Sequence, residues 1–297
     1  MLSIVIATKD RAPFVARAID SLALQAGAPR FEAIVVDNGS RDHTADLVRA
    51  RIPSVPFPLV LAERAEPNRG AARNVGISRA RGGTVLFVDD DVWVPPDFVA
   101  AHARAHASEA GERAVSGPIL NVPSYDMRPE PSAANYSRAF LCTCNVSVPR
   151  RALEAVGGFD EGFDLYGWED TELGFRLRRA GVARAFAWDA YLYHIKPPQS
   201  ETLEAVARKT VERARMASHL LHKEPTWRTR LATGAYAANL LRARVTIPDW
   251  SLPLYVALAK NERAPAALRA FGRAQFLDGL YTAELRRALE STARGPA

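Results

Sequence analysis

The first half of the chain alternates short β-type apolar runs with stretches whose apolar residues recur at helical spacing. The apolar runs, which are typical of buried strands, cover residues 2–7, 33–36, 59–62 and 84–88. Helical spacing is found between them, over residues 13–25, 42–51 and 70–81. This order predicts an α/β fold with a mostly parallel, Rossmann-like sheet and helices on both faces. In such sheets, ligands bind beyond the carboxyl ends of the strands.

The pattern changes in the second half of the chain. Residues 116–149 are irregular and contain five prolines, and a short helix is predicted over residues 171–180. From about residue 201 the spacing is helical almost throughout, over residues 203–221, 227–242 and 264–289. We therefore predict an N-terminal domain over residues 1–198 and a helical C-terminal extension over residues 199–297.

The charge and the apolar runs restrict the classes of partner. The net charge is +6, and residues 200–297 hold 16 Lys and Arg against 9 Asp and Glu. A basic helical tail indicates an acidic partner, such as lipid headgroups, nucleic acid or an anionic acceptor; the alternative is a solvated arginine-rich face. No run approaches the roughly 18 apolar residues of a membrane span, and no secretion signal opens the chain. We expect a cytoplasmic protein whose two cysteines are reduced thiols.

Three consecutive carboxylates, Asp89, Asp90 and Asp91, follow directly after the predicted strand 84–88. Side chains alternate along an extended segment, so Asp89 and Asp91 are expected on the same side. Carboxylates this close repel one another unless a cation neutralises them, and a hard divalent cation prefers oxygen ligands. The sequence therefore predicts a Mn²⁺ or Mg²⁺ site that reaches a diphosphate. The alternative is a solvated turn.

Asp37 ends another predicted strand and precedes a tight turn, Asn38-Gly39-Ser40. An acid in this position can accept hydrogen bonds from a ribose, although the same residues are also ordinary turn chemistry. The chain has no glycine-rich phosphate loop. We expect a metal and cations such as Lys9 or Arg73 to hold the phosphates.

Seven collinear blocks between residues 1 and 195 together resemble family 2 glycosyltransferases with the GT-A fold. The blocks are SIVIAT (3–8), VVDNGS (35–40), GAARNVG (70–76), FVDDD (87–91), CNVS (144–147), GGFDE (157–161) and GWEDTEL (167–173). The resemblance implies that residues 1–115 bind a nucleotide sugar and that residues 116–198 supply the acceptor site and the catalytic base.

The resemblance also assigns roles to individual residues. The predicted donor contacts, of which the resemblance itself implies Asp37 and Asp89, comprise Ala7, Thr8, Lys9, Asp37, Arg73, Asp89 and Asp90. It implies Asp89 and Asp91 as metal ligands, with His194 as a third ligand unless that histidine is structural. The Glu-Asp pair supplies the base, Asp170, with Glu169 as its neighbour and the next candidate. Without the resemblance, acids at the start of a helix are ordinary placement.

The aromatic segment before Asp170 suits stacking on a sugar, so we predict that Trp168 and Glu169 contact the acceptor; the alternative is that these rings belong to the core. Lys9 stands where family members often carry an aromatic residue, which removes a stacking surface for the base of the nucleotide. The expected donor is a UDP-, GDP- or dTDP-sugar, and the expected acceptor is a glycan, a lipid-linked molecule or a small molecule.

The predicted reaction is metal-dependent sugar transfer to a hydroxyl group with inversion. The alternatives are a retaining transferase on the same fold, a nucleotidyltransferase, and a protein that binds nucleotide sugars without turnover. We expect no nucleic-acid partner. For the basic C-terminal helices, peripheral membrane contact, packing on the catalytic domain and a homodimer contact remain the alternatives.

Overall fold

The computed structural model describes residues 1–108, 111–198 and 201–293. The chain divides into two compact units. The first unit comprises Met1–Asp164 and Glu169–Pro198, and the second comprises Leu165–Trp168 and the C-terminal helices. The segment Leu165–Trp168, which the sequence assigns to the N-terminal domain, thus groups with the helices. Among the described residues, no helix is both long enough and apolar enough to cross a membrane.

The first unit contains ten strands and six α-helices within its described residues. The strands are β1 Leu2–Thr8, β2 Phe31–Asn38, β3 Leu59–Arg64, β4 Thr84–Val88, β5 Val92–Trp93, β6 Arg113–Ser116, β7 Ile119–Val122, β8 Asn145–Pro149, β9 Ala183–Phe186 and β10 Leu192–Ile195. The helices are α1 Ala12–Ala23, α2 Thr44–Arg51, α3 Arg69–Arg79, α4 Phe98–Ala107, α5 Arg150–Ala155 and α6 Glu169–Arg179.

Seven of these strands form one sheet in the order β3-β2-β1-β4-β8-β6-β9. The first four strands are parallel, as the sequence predicts, whereas β8 runs antiparallel to both β4 and β6. The strand order reverses between β1 and β4, because β2 and β3 lie on one side of β1 and β4 on the other. A reversal of this kind opens a crevice at the carboxyl ends of the two strands.

Both faces of the large sheet are covered by apolar cores. Alternate residues of β1 enter opposite cores: Ile4 and Ile6 pack with residues of α1 and α4, and Val5 packs with residues of α3 and α6. Gly76 of α3 lies so close to β1 that a Cβ atom there would stand 2.3 Å from Val5 Cγ1. Helix α3 therefore contacts the sheet directly, which fixes the position of Arg73 one turn earlier.

A second sheet has the order β5-β10-β7. Its strands β5 and β10 pair in antiparallel register, so that His194 lies opposite Val92, immediately after the three acids. The backbone N–H of Ile195 also donates to the carbonyl of Asp91 at 2.8 Å. This small sheet, which the sequence does not predict as a sheet, brings β10 to the end of β4.

The second unit consists of helices α7 Leu203–Lys223, α8 Trp227–Thr233, α9 Ala237–Thr246, α10 Leu252–Lys260 and α11 Ala266–Ala293. Its core is small and rich in alanine, with Ala214, Ala217 and Leu285 at its centre. The prediction of one helix over residues 227–242 is wrong. Gly234 adopts the left-handed conformation, with φ of 74°, and ends α8 there.

Candidate active site

Asp90 points into the first unit and joins the ends of two neighbouring strands. Its Oδ2 accepts a hydrogen bond from Thr8 Oγ1 at 2.7 Å, and its Oδ1 lies 3.4 Å from Arg11 Nη1. Burial, together with the charges of Asp91 and Asp89, raises the pKa of Asp90 to about 7 against the opposing effects of Arg11 and Thr8. Asp90 and Thr8, both predicted as donor contacts, therefore bond to each other between β1 and β4.

Asp91 lies beside two cationic side chains and an imidazole. Arg11 Nη1 lies 2.8 Å from Oδ2, Lys196 Nζ lies 3.2 Å from Oδ2, and His194 Nε2 lies 2.9 Å from Oδ1. Burial opposes ionisation, but the hydrogen bond from His194 and the charges of Lys196 and Arg11 hold the pKa of Asp91 well below its ordinary value. Asp91 is thus an ionised carboxylate at the carboxyl end of β4.

Asp89 lies on the same side as His194. One ligand atom each from Asp89, Cys144 and His194 fall within 4.8 Å of one another. Burial and the neighbouring Asp89 raise the pKa of the Cys144 thiol far above its ordinary value, so that this sulfur stays protonated and is a poor metal ligand. Asp89 and His194 offer a carboxylate oxygen and an imidazole nitrogen, ligands that Mn²⁺ and Mg²⁺ accept, and Asp91 lies against the same imidazole.

The orientation of His194 supports this ligand set. Its Nδ1 lies 3.0 Å from Asn121 Oδ1, while its Nε2 faces Asp91. In the metal-free protein, Nε2 donates to Asp91. With a cation bound, the proton would stay on Nδ1, which donates to the Asn121 amide oxygen, and Nε2 would offer its lone pair. Histidine ligands of metals are commonly oriented in this way by a hydrogen bond to the second nitrogen. The residues present therefore fit a divalent cation.

A single buried guanidinium, that of Arg73, connects Asp89 with the Glu-Asp pair of α6. Arg73 Nη1 lies 3.0 Å from Glu169 Oε1 and 3.6 Å from Asp170 Oδ1, and Nη2 lies 3.9 Å from Asp89 Oδ1. These three carboxylates raise the pKa of Arg73 despite its burial. The guanidinium also lies over the ring of Phe159, 5.4 Å from its centroid. Arg73, predicted as a donor contact, is thus held by acidic residues from two elements.

Asp170 has one bonded oxygen and one that makes no hydrogen bond to the described residues. Thr143 donates to Oδ2 through both its backbone N–H, at 2.9 Å, and its Oγ1, at 3.0 Å. The buried Oδ1 accepts no hydrogen bond within the described part of the chain. Burial, together with the charge of Glu169, raises the pKa of Asp170 to about 6, although Arg73 and Thr143 oppose the shift. Such a group is suited to accept a proton near neutral pH.

The remaining predicted residues lie in three places. Asp37 is buried at the end of β2, beside Thr8 in register, and accepts a hydrogen bond from the Ser40 backbone N–H at 2.9 Å. Ala7 lies in β1, and Lys9 is exposed just after it. Trp168 belongs to the second unit: its Nε1 donates to the carbonyl of Arg213 at 2.9 Å, and Arg213 covers its ring.

A buried histidine network supports the start of β8, next to Cys144. His102 Nδ1 lies 2.8 Å from Ser147 Oγ, and its Nε2 lies 2.9 Å from Asn145 Oδ1. Asn145 in turn donates to the carbonyl of Ala190, shortly before β10, at 2.8 Å. Burial lowers the pKa of His102 to about 4, so the ring is neutral. His102, for which the sequence shows no metal-type partner, has a structural role close to the site.

Several residues of the site are not predicted from the sequence: Arg11, Asn121, Thr143, Cys144 and Lys196. The contacts of Arg11 and Lys196 with Asp91 span 80 and 105 residues of sequence, respectively. No local spacing marks such pairs. Of these residues, Thr143 could most readily have been suggested as a site residue from the sequence, because it directly precedes the block CNVS.

Comparisons with known proteins find similarity to glycosyltransferases. The model of glycosyl transferase family 2 matches residues 3–129, and a model described as the N-terminal domain of galactosyltransferase matches residues 129–219. Validoxylamine A glucosyltransferase of Streptomyces hygroscopicus subsp. limoneus is 31% identical over 243 residues, which cover 69% of this chain and 53% of that protein. An uncharacterized glycosyltransferase of Bacillus subtilis, YfnE, is 27% identical over 57% of this chain and 58% of its own length. The chain spans about half the length of the curated relatives it matches.

Solved structures share the fold. The mannosyltransferase PcManGT from Pyrobaculum calidifontis, in complex with GDP-Man and Mn²⁺, has a TM-score of 0.60 at 20% identity and covers 98% of this chain and 86% of its own. S. aureus TarS 1-349 has a TM-score of 0.56 at 19% identity and covers 99% of this chain and 92% of its own. The predicted α/β fold of the GT-A type, with its helical C-terminal region, is confirmed.

Proposed function

Because the chain belongs, through residues 3–129, to glycosyl transferase family 2, we propose that it transfers a sugar from a nucleoside diphosphate sugar to an acceptor hydroxyl with inversion. The observation that carries the proposal is the connection of two carboxylate groups through one guanidinium. Arg73 joins Asp89, at the end of β4, to Asp170, at the start of α6. A reaction that expels a diphosphate at one end and deprotonates a hydroxyl at the other needs both groups side by side.

The donor end is formed by the carboxyl ends of β1, β2 and β4. Asp37 supplies a buried carboxylate beside Thr8, in the position where acids of nucleotide-binding sheets accept hydrogen bonds from a ribose. The backbone of Ala7 and the exposed Lys9 flank it. A UDP-, GDP- or dTDP-sugar fits this chemistry, and the structural neighbours solved with GDP-Man and with UDP-GlcNAc support the class of donor.

Asp89, Asp91 and His194 would hold Mn²⁺ or Mg²⁺ at this end. A bound divalent cation stabilises the charge that develops on a departing diphosphate. Asn121 fixes the orientation of His194, and Arg11 with Lys196 balances the charge of Asp91 in the metal-free protein. The Mn²⁺ in the PcManGT complex supports this class of cofactor.

Asp170 acts as the catalytic base in this proposal. Its Oδ1 accepts the proton of the acceptor hydroxyl as the oxygen attacks the anomeric carbon, while Thr143 holds Oδ2 in place. A positioned carboxylate contributes about 10²–10⁴-fold to such a step. Glu169 keeps Arg73 against Asp170. Direct displacement of this kind inverts the anomeric configuration.

The test begins with a screen of nucleotide sugars for thermal stabilisation that requires Mn²⁺, since a ligand of the native state raises the midpoint of unfolding. Release of nucleoside diphosphate is then measured with the selected donor, with and without candidate acceptors. Acceptor-dependent release and a product of inverted configuration are the expected results. A product that keeps the configuration of the donor would exclude the inverting mechanism.

Asp170→Asn tests the base directly. The variant should bind the donor like the unmodified protein but lose about 10²–10⁴-fold in kcat, because an amide cannot accept the proton. Asp97→Asn, at an exposed acid before α4, is the matched control and should keep its activity. Transfer by Asp170→Asn near the normal rate would move the base elsewhere, with Glu169 as the next residue to substitute.

A further inference from the structure

The C-terminal helices expose large apolar side chains in pairs spaced four residues apart. This spacing places both members of a pair on the same helix face. The exposed fractions run from 54% for Leu231 to 75% for Trp250. The pairs are Trp227 with Leu231 on α8, Leu241 with Val245 on α9, and Trp250 with Leu254 at the start of α10. So many exposed large apolar residues in a short stretch mark an interaction surface.

Positive charge predominates in the same stretch. Residues 227–254 contain four arginines and one acid, Asp249, which lies 3.1 Å from Arg286. Arg242 pairs with Asp278 at 2.8 Å, whereas none of the ion pairs in the described part of the chain involves Arg228, Arg230 or Arg244. Arg228 lies over the ring of Trp227 instead, 5.4 Å from its centroid. The surface therefore combines unpaired cations with exposed rings and aliphatic groups.

We propose that this surface, formed by residues 227–254, binds an anionic lipid membrane. Headgroup phosphates supply the missing negative charge at the depth where tryptophan rings and leucine side chains enter the acyl boundary. A protein interface concentrates apolar residues at its centre and charges at its rim. Here Arg228 follows Trp227 directly, and Arg244 directly precedes Val245, so the two kinds of side chain alternate along each helix.

A second copy of this chain is a poorer occupant. A symmetric contact would place the same arginine-rich segment of both copies together, and its one acid, Asp249, is already paired with Arg286. Like charges across an interface oppose association, whereas a lipid surface with negative headgroups attracts them. The proposal concerns binding alone and does not depend on the transferase activity, so its success or failure is independent of the proposed function.

The experiment is co-sedimentation of the full chain, without donor or metal, with two kinds of vesicle. We expect binding to vesicles of phosphatidylcholine mixed with phosphatidylglycerol, weakening with added salt, and none to phosphatidylcholine alone. The triple variant Arg228→Gln, Arg230→Gln, Arg244→Gln should bind more weakly by about fivefold for each arginine. Trp250→Ala should weaken binding about tenfold, because its apolar area no longer enters the boundary.

The matched control removes three exposed arginines of the first unit, through Arg30→Gln, Arg79→Gln and Arg81→Gln. It changes the net charge equally and should keep normal binding. Equal loss in both triple variants would overturn the proposal in favour of non-specific charge attraction. Absence of binding to the anionic vesicles would overturn it as well. The proposal would also be overturned if sedimentation velocity showed a dimer that dissociates in the Trp250→Ala variant. Unchanged thermal unfolding of each variant verifies that the fold is intact.

Discussion

Asp91 and Asp170 belong to the same site, but cations outnumber carboxylates around Asp91, and carboxylates outnumber cations around Asp170. Asp91 alone contacts two cationic side chains and the imidazole of His194, whereas the single guanidinium of Arg73 is shared by Asp170 and two further carboxylates. The pKa of Asp91 is accordingly held low, and that of Asp170 rises to about 6. One end of the site keeps a permanent negative charge for a cation, and the other keeps a carboxylate that can exchange a proton.

The strongest way to break this contrast is to remove the one cation of the acidic end. Arg73→Gln leaves the buried carboxylates of Glu169 and Asp170 uncompensated, so we expect a loss of about 3–5 kcal/mol in the free energy of unfolding. Arg49→Gln is the matched control, because Arg49 also bonds two carboxylates but is half exposed. Its loss should stay below about 1 kcal/mol. Denaturant unfolding measures both losses. Equal losses would mean that the buried Arg73 contributes no more to the free energy of unfolding than the half-exposed Arg49 does.

At the cation-rich end, Asp91→Asn should weaken Mn²⁺ binding by about 10–100-fold, because one ligand loses its charge. The sequence alone suggests that removing one member of an acidic cluster costs no stability. The structure reverses that expectation, since Asp91 is bonded to Arg11, Lys196 and His194. We expect a loss of about 1–2 kcal/mol in the metal-free protein. Titration calorimetry with Mn²⁺ checks the first effect; unchanged affinity would remove Asp91 from the ligand set.

The fold could be predicted further than the site. Each of the four parallel strands has a continuous apolar run, and the apolar residues of the helices between them recur at helical spacing. The order of these strands and helices could therefore be predicted from the sequence. Strands β5 and β10, of two and four residues, are too short to show a pattern, yet they place His194 beside Asp91. The acids at strand ends were visible from the sequence, but the cations that set their pKa values come from distant segments.

Activity should depend on pH through Asp170. The base must be ionised, and its pKa is raised to about 6. As the pH falls through about 6, the carboxylate becomes protonated and kcat/KM should fall about tenfold for each further pH unit. A pH–rate profile with saturating metal measures this limb. If the acid limb instead gave the ordinary pKa of aspartate, the catalytic base would be a carboxylate that is less buried than Asp170.

Thr143 offers a smaller adjustment of the same pKa. Thr143→Val removes the Oγ1 hydrogen bond to Asp170 but keeps the one from the backbone N–H. A hydrogen bond to a carboxylate favours its ionised form, so the acid limb should move upward, by at most about one pH unit. Thr143→Ser retains the hydroxyl and should restore the original limb. A general fall in kcat without any movement of the limb would indicate a structural role only.

The smallest effect is expected at Cys144, which lies beside Asp89 and His194. Its sulfur lies within 4.8 Å of ligand atoms of Asp89 and His194, a distance that by itself would admit it to the metal site. Its raised pKa argues that the thiol stays protonated and leaves binding of a hard cation to oxygen and imidazole ligands. Cys144→Ala should therefore change Mn²⁺ affinity by no more than about twofold. A large loss in Cys144→Ala, with Asp91→Asn left unaffected, would replace Asp91 by Cys144 in the ligand set and point to a softer metal.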